Sequence, residues 1–153
     1  MPGPNDNLVL SPAGLIMLEG FEGLRLKAYP DVRGRLTIGY GHTGPEVVPG
    51  LVWTQQQAAV AEQEDVCWAT RAVHDLVKVS LIQNQFDSLV TFTFNVGKED
   101  FETSTLLHLL NVRDFAGAGQ QFNRWIYAGD VISSGLVNRR KTESNMFFLG
   151  VAA

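Results

Sequence analysis

Residues 22–42 read EGLRLKAYPDVRGRLTIGYGH, and this stretch decides the fold. Polar and apolar residues alternate over residues 25–29 and again over residues 35–40, which is typical of β-strands. Between them lies the sequence DVRG at residues 31–34, with Asp first and Gly last, the composition of a β-turn. The stretch therefore predicts a β-hairpin or a small sheet near the amino terminus.

Helical patterns flank this hairpin on both sides. Ser11 followed by Pro12 is typical of a helix start, and the helix is predicted to end near Gly23. Downstream, Thr54 and Gln57 form the pattern of a capping box. The periodicity predicts further helices at about 54–78, 81–97, 103–111, 113–124 and 136–149.

Two of these helices differ in their polarity. In the 54–78 helix, apolar residues recur at helical spacing from Val66 to Leu76, and we expect Glu62 to point away from that face. Cys67, in the same helix, is expected to pack. Residues 81–97 carry only one charge, at Asp87, which predicts a buried central helix. The fold class is therefore α+β, mainly α, with a small β-containing lobe and a larger helical lobe.

Composition restricts the function classes. The chain has 153 residues, of which 45% are hydrophobic, a size and content that favour one globular domain. The formal net charge of −4 argues against sequence-independent binding to nucleic acid or to anionic membranes. The apolar run at residues 8–18 is too short to span a bilayer, and no basic signal-peptide start precedes it. We therefore expect synthesis in the cytoplasm and no stable membrane association.

Carboxylates are the candidate chemical groups near the hairpin. Glu19 and Glu22 lie near the end of the first helix, and Asp31 lies in the hairpin turn. Two carboxylates across a cleft can hydrolyse a glycosidic bond when one is protonated and the other ionised. Taken alone, the pattern is weak, because most such residues are solvated surface charges.

The spacing of three residues makes the pattern specific. Glu22 is followed nine residues later by Asp31, six further on by Thr37, and then by Ile-Gly-Tyr-Gly-His. This run closely resembles the phage-type lysozymes of glycoside hydrolase family 24. The resemblance covers about residues 11–149 and includes the downstream segments 81–97, 104–107, 122–125 and 135–143.

The resemblance implies a muramidase that cuts the β-1,4 bond between N-acetylmuramic acid and N-acetylglucosamine in peptidoglycan. Glu22 would be the general acid, and Asp31 the carboxylate that activates or positions water with the help of Thr37. The family implies inversion at the anomeric carbon, although spacing in the sequence does not give the separation of the carboxylates. No metal or organic cofactor is implied.

The resemblance also assigns supporting residues. Asn95, Arg124 and Trp125 match positions that line the family's cleft, although the alternative that Trp125 is simply a core residue is favoured. His42 is expected to form a structural ion pair with Asp65. A zinc site at His42 is disfavoured, because the other histidines lack metal-like spacing. Arg139 and Arg140 are expected to pair near the junction of the lobes.

Residues 1–153 are expected to form a single lysozyme-like domain, with a small lobe at about 23–53 and a helical lobe at about 11–22 plus 54–149. An endolysin of this kind would need a holin to reach the wall and would act as a monomer. Two alternatives stay open. One is a wall-cutting lysozyme of a tail or secretion apparatus. The other is a catalytically inactive peptidoglycan-binding protein, which the intact Glu22, Asp31 and Thr37 disfavour.

Overall fold

The structure, a computed structural model, describes residues 1–150. This part of the chain is mainly helical and contains two small antiparallel sheets, so the fold is α+β, as the sequence predicts. In chain order its elements are α1 (Pro12–Glu22), β1 (Arg25–Pro30), β2 (Leu36–Gly39), α2 (Gln55–Leu76), α3 (Gln83–Val96), α4 (Lys98–Glu102), α5 (Thr105–Asn111), α6 (Phe115–Gln121), a 3-10 turn (Phe122–Arg124), β3 (Tyr127–Ala128), β4 (Val131–Ile132) and α7 (Ser134–Phe148).

Helix α1 is tied to the core at its start. Ser11 caps the helix by accepting a hydrogen bond from the amide of Gly14 at 3.1 Å. The backbone and hydroxyl of Ser11 both donate to the carboxylate of Asp87 in α3. At the other end, Gly23 adopts a positive φ of 63° and terminates the helix, so Glu22 is its last residue.

The predicted hairpin forms between β1 and β2. Tyr29 pairs with Thr37, and the register is irregular between that pair and the pair of Arg25 with Gly39. The segment that follows the hairpin folds back along β1, where the amide of Ala28 donates to the carbonyl of Leu51 at 2.9 Å. The hairpin thus brings residues 31 and 37 to one end of the small sheet.

Helices α2 and α3 are long helices that pack against each other. The capping box predicted for α2 is present, with Thr54 accepting from the amide of Gln57 and Gln57 accepting from the amide of Thr54. Eleven of the fourteen residues of α3 are buried, which confirms the central helix. Phe92 of α3 meets Phe101, Phe122 and Trp125 edge-on and anchors the core.

Several local predictions were wrong. Glu62 is buried rather than solvent-facing, because that side of α2 lies near Glu19 of α1. Cys67 is exposed instead of packed. The expected helix at 113–124 is shortened because Arg113 adopts a positive φ of 69° and Asp114 caps a later start. Helix α4 and the β3–β4 hairpin were not predicted, although Gly129-Asp130 is a known two-residue turn signal.

The segment before α1 packs against the helices although it lacks regular structure. Asn5 is fully buried, and its side-chain amide donates to the carbonyl of Val79 at 2.9 Å. Its side-chain oxygen Oδ1 accepts a hydrogen bond from the backbone amide of Leu81 at 2.8 Å. The side chain therefore closes the link between α2 and α3.

Among the helices of residues 1–150, none is both long enough and apolar enough to cross a bilayer. Within the same residues, no three His, Cys, Asp or Glu side chains group as metal ligands.

Candidate active site

A cleft of about 260 Å³ lies between the β1–β2 hairpin and the helices. The end of α1, both hairpin strands, the end of α3 and the start of α7 contribute to its walls. Four of the residues predicted for the site lie in it, namely Glu22, Asp31, Thr37 and Asn95.

Glu22 enters the cleft from the last turn of α1. Its side chain is only 12% exposed, and Nη1 of Arg139 contacts both of its carboxylate oxygens, at 3.0 and 3.2 Å. Gly41 lies against the same carboxylate, since a Cβ added there would be 2.6 Å from Oε2. The position of Glu22 therefore depends on its contact with Arg139 and on the space that a glycine at position 41 leaves for its carboxylate.

Asp31 is oriented by the turn that contains it. Its Oδ1 accepts hydrogen bonds from the amides of Arg33 and Arg35, at 2.8 and 2.9 Å. The Nε of Arg35 lies 3.5 Å from Oδ2, and the side chain stays 21% exposed. Because the backbone holds only Oδ1, Oδ2 can face a reactant in the cleft.

Thr37 lies on the cleft wall at the start of β2 and is only 3% exposed. Its hydroxyl donates to the carbonyl of Arg35 at 2.9 Å. That bond uses the hydroxyl proton and leaves the oxygen lone pairs able to accept a hydrogen bond.

Tyr29, the strand partner of Thr37, also lines the cleft and was not predicted there. Burial raises the pKa of its phenol, and the nearby charge of Glu22 adds to the effect. Tyr29 therefore presents a neutral hydroxyl at neutral pH. Residues directly opposite each other in a hairpin share a face of the sheet, so pairing the two predicted strands would have placed Tyr29 on the same wall as Thr37.

Of the three predicted substrate-binding residues, one lines the cleft and two lie outside it. Asn95 lines the cleft, and its side-chain oxygen accepts a hydrogen bond from Arg140. Arg124 is exposed on the 3-10 turn and lies outside the cleft. Trp125 also lies outside it, with its ring 5.6 Å from that of Phe92. Its apolar contact with α3 accounts for that position, as in the alternative core interpretation.

His42 is held between two carboxylates beyond the cleft. Its Nδ1 lies 2.7 Å from Asp65 and its Nε2 lies 2.6 Å from Glu46. Burial disfavours the charged ring, but the hydrogen bonds to Glu46 and Asp65 outweigh it and raise the pKa of His42. Glu46 was not predicted, although it lies only four residues from His42.

Comparisons with known proteins cover this whole region. The family model described as "Phage lysozyme" matches residues 19–143. The endolysin of Acyrthosiphon pisum secondary endosymbiont phage 1 is 41% identical over 142 residues, which cover 90% of this chain and 97% of that protein.

Solved structures agree with that match. The endolysin from Escherichia coli O157:H7 phage FAHEc1 has a TM-score of 0.81 and 34% identity, and the alignment covers 100% of this chain and 99% of that one. The muramidase domain of SpmX from Asticaccaulis excentricus has a TM-score of 0.79 and 36% identity, covering 90% of this chain and 96% of that domain. The matched span includes every cleft residue described above.

Proposed function

This chain belongs to the phage lysozyme family, and from that premise we propose that Glu22, Asp31 and Thr37 carry out its reaction. The protein is a peptidoglycan-degrading muramidase that causes bacterial lysis. The bond it hydrolyses is the β-1,4 link between N-acetylmuramic acid and N-acetylglucosamine. The observation that supports the residue assignment is that all three residues line the same cleft.

Glu22 is suited to act as the general acid. The carboxyl group lies at the junction between α1 and the hairpin and is largely shielded from solvent. A protonated carboxyl there can transfer its proton to the oxygen of the leaving sugar as the glycosidic bond breaks. Arg139 then stabilises the carboxylate that remains.

Asp31 is suited to the second role. Its Oδ1 is held by two backbone amides, so the ionised carboxylate is oriented before substrate arrives. From this position it can activate or position the attacking water, or stabilise the positive charge that develops on the sugar ring. Thr37 lines the same cleft, and its hydroxyl oxygen can accept a hydrogen bond from that water.

The resemblance further supports inversion at the anomeric carbon. An inverting enzyme uses its second carboxylate as a base for water and forms no covalent glycosyl intermediate. We expect the first product to carry the α-anomer, which proton NMR during the first minutes of digestion detects. A β-anomer as first product would assign Asp31 the role of nucleophile instead.

Glu22 and Glu19 provide the test of the acid. We expect Glu22→Gln to lower the initial rate of lysis of permeabilised cells by a factor of about 10² to 10⁴, because it removes the proton donor and keeps the shape. Glu19→Gln, one turn earlier on α1, should retain substantial activity. Circular dichroism of both variants controls for folding. An active Glu22→Gln enzyme would overturn the assignment, and an inactive wild type would favour the binding-protein alternative.

We also propose that the enzyme reaches the wall through a holin-type membrane lesion and acts as a monomer. The endolysin name of the relative from Acyrthosiphon pisum secondary endosymbiont phage 1 supports the wall as the target. Expression in a host without a holin should leave cells intact until the membrane is permeabilised. Light scattering during gel filtration should give a mass near 16.8 kDa. Lysis on expression alone would contradict the release route.

A further inference from the structure

Arg35 lies on the hairpin wall of the cleft, beside Asp31. Its Nε is 3.5 Å from Oδ2 of Asp31, and its side chain is 53% exposed. Within residues 1–150, Nη1 and Nη2 of Arg35 have no hydrogen-bond partner. The outer edge of this guanidinium, which carries those two nitrogens, therefore has donors available to a ligand in the cleft.

Among the described residues, one other cation lines the cleft, and its donors are already used. The Nη1 of Arg139 contacts Glu22, its Nη2 donates to the carbonyl of Thr91 at 2.9 Å, and its Nε donates to Glu143 at 3.4 Å. Its side chain is only 7% exposed. Arg35 is therefore the cation of the cleft wall that can contact an anionic group of the substrate.

The anions near Arg35 do not prevent it from binding a further carboxylate. Asp31 faces its Nε, and Oδ1 of Asp31 already accepts from two backbone amides. Glu22, the other anion that lines the cleft, is paired with Arg139. A planar guanidinium can bind carboxylates on two different edges, because its five donors point in fixed directions. The outer edge can thus bind a substrate carboxylate while Nε stays near Asp31.

The bond to be cut brings an acidic substituent to this region. Asp31 is proposed to act at the anomeric carbon of N-acetylmuramic acid, so that sugar lies beside it in the bound complex. N-acetylmuramic acid carries a lactyl arm on its ring. The carboxyl group of that arm is either free or joined to a stem peptide, which has carboxylates of its own. N-acetylglucosamine has no acidic group.

We propose that Arg35 determines specificity by binding a carboxylate on the lactyl arm of the muramic acid, either that of the lactyl group or one of the attached peptide. The outer edge of its guanidinium donates to this carboxylate through Nη1 and Nη2. A wall polymer whose carboxylates are neutral loses the contact. This inference rests on the proposed function, because it takes Asp31 to face the muramic acid.

The test compares two soluble peptidoglycan substrates that differ in charge. One is intact, and in the other a carbodiimide and ammonia have converted the carboxylates to neutral amides. For the wild type at 0.15 M salt, we expect kcat/KM to be about fivefold higher on the intact substrate, mainly through KM, as for a half-exposed ion pair. A wild type without this preference would overturn the proposal.

Two variants of Arg35 test whether the preference belongs to this side chain. Arg35→Gln should cut both substrates with the same kcat/KM. Arg35→Lys should keep part of the preference, because it retains the charge without the planar fork. If Arg35 acts only by orienting Asp31, Arg35→Gln lowers kcat on both substrates by one factor and keeps the wild-type ratio, which would overturn the proposal.

Arg71→Gln is the matched control for net charge. Arg71 is exposed on α2 and lies outside the cleft, so this variant removes an equal charge and should keep the wild-type ratio between the two substrates. The salt concentration limits the range of distant charges to about 8 Å. A ratio that changes as much in Arg71→Gln as in Arg35→Gln would attribute the preference to net charge and overturn the proposal.

Amidase treatment distinguishes the two sources of the carboxylate. Removal of the stem peptides leaves a glycan whose acidic groups are free lactyl carboxylates. If the preference that depends on Arg35 persists on this glycan relative to its amidated form, the ligand is the lactyl carboxylate. If the preference is present only on the intact substrate, the ligand is a carboxylate of the stem peptide.

Binding measurements separate this inference from the proposed function. Calorimetry with Glu22→Gln, alone and combined with Arg35→Gln, gives the Kd of intact and amidated fragments without cleavage. If Glu22→Gln is as active as the wild type, the proposed function fails. If it is inactive, and Arg35→Gln leaves the ratio of the two Kd values unchanged, only the role of Arg35 fails.

Discussion

At the scale of single residues, Gly41 shows how closely Glu22, the proposed acid, is confined. A side chain at this position would meet the carboxylate of Glu22 at 2.6 Å, and the backbone φ of 74° is itself unfavourable for other residues. We expect Gly41→Ala to displace Glu22 and to reduce the lysis rate at least about tenfold, with a loss of stability of about 1 kcal/mol or more. Initial rates and thermal midpoints measure both effects.

Gly129 is the matched control for that substitution. Its φ of 63° imposes a similar backbone penalty, but an added Cβ would meet nothing within 4 Å. Gly129→Ala should therefore lower the thermal midpoint without a comparable loss of activity. If both variants lose activity equally, backbone strain rather than contact with Glu22 explains the effect.

His42 predicts a pH dependence of stability. Its pKa is raised in the folded state, because the hydrogen bonds to Glu46 and Asp65 outweigh the cost of burial. Such a group contributes its full stability below its unfolded pKa of about 6.5 and loses it as pH rises through the folded value. His42→Gln should therefore lower the thermal midpoint more at pH 5.5 than at pH 9.

The exposed His108 provides the control, and His108→Gln should leave the midpoint nearly unchanged at both pH values. A loss in His42→Gln that is equal at the two pH values would show that the ring contributes by packing rather than by charge. Glu46, whose pKa is lowered by the hydrogen bond to His42, should lose its share as pH falls through its folded pKa.

At the scale of elements, two carboxyl groups lie close together where α1 approaches α2, namely Glu19 and Glu62. Glu62 is 8% exposed, and its Oε2 has no hydrogen-bond partner in the described residues. Burial and the neighbouring Glu19 raise the pKa of Glu62 to about 7. For an acid with a raised pKa, ionisation costs stability, so the contact weakens as pH rises from about 4.5 through 7.

Glu62→Gln should consequently raise the thermal midpoint at pH 8 relative to wild type and change it little at pH 4.5. Thermal unfolding followed by circular dichroism at the two pH values measures the difference. Glu64→Gln, at an exposed position of the same helix, removes an equal charge and should show no such pH dependence. A midpoint difference for Glu62→Gln that is the same at both pH values would exclude the ionisation mechanism.

The elements differ in how far the sequence predicts them. Helix α2 has a capping box, helix α3 has a long apolar pattern, and the β1–β2 hairpin has alternating strands around a turn sequence, so their positions follow from local sequence. Helix α4 has five residues and each strand of the second hairpin has two, which is too short for a periodic signal. The burial of Glu62 depends on the approach of Glu19 from α1, which no local pattern in the sequence indicates.

The site shows the same division. Glu22, Asp31 and Thr37 lie within sixteen residues, so a motif can identify them. Arg139 reaches Glu22 from 117 residues away and also donates to the carbonyl of Thr91 in α3. Pairing of this kind follows from the packing of α3 against α7 rather than from spacing along the chain.

At the scale of the whole molecule, net charge predicts an effect of salt. The chain carries a formal charge of −4 and acts on an anionic wall, so the two repel each other at low ionic strength. The Debye length falls from about 30 Å at 0.01 M salt to about 8 Å at 0.15 M. We expect the lysis rate of permeabilised cells to rise over this interval, and a steady fall would contradict the electrostatic explanation.

The hydrogen bond between Glu22 and Arg139 has a consequence for synthesis. It joins α1 to α7, and the hydrogen bond from Ser11 to Asp87 likewise needs a residue that is synthesised much later. A nascent chain on the ribosome therefore has the proposed catalytic residues long before it has Arg139, the cation that contacts Glu22. Given the proposed role of Glu22, we expect hydrolytic activity to appear only after α7 has left the exit tunnel, so that the time needed for translation delays activity.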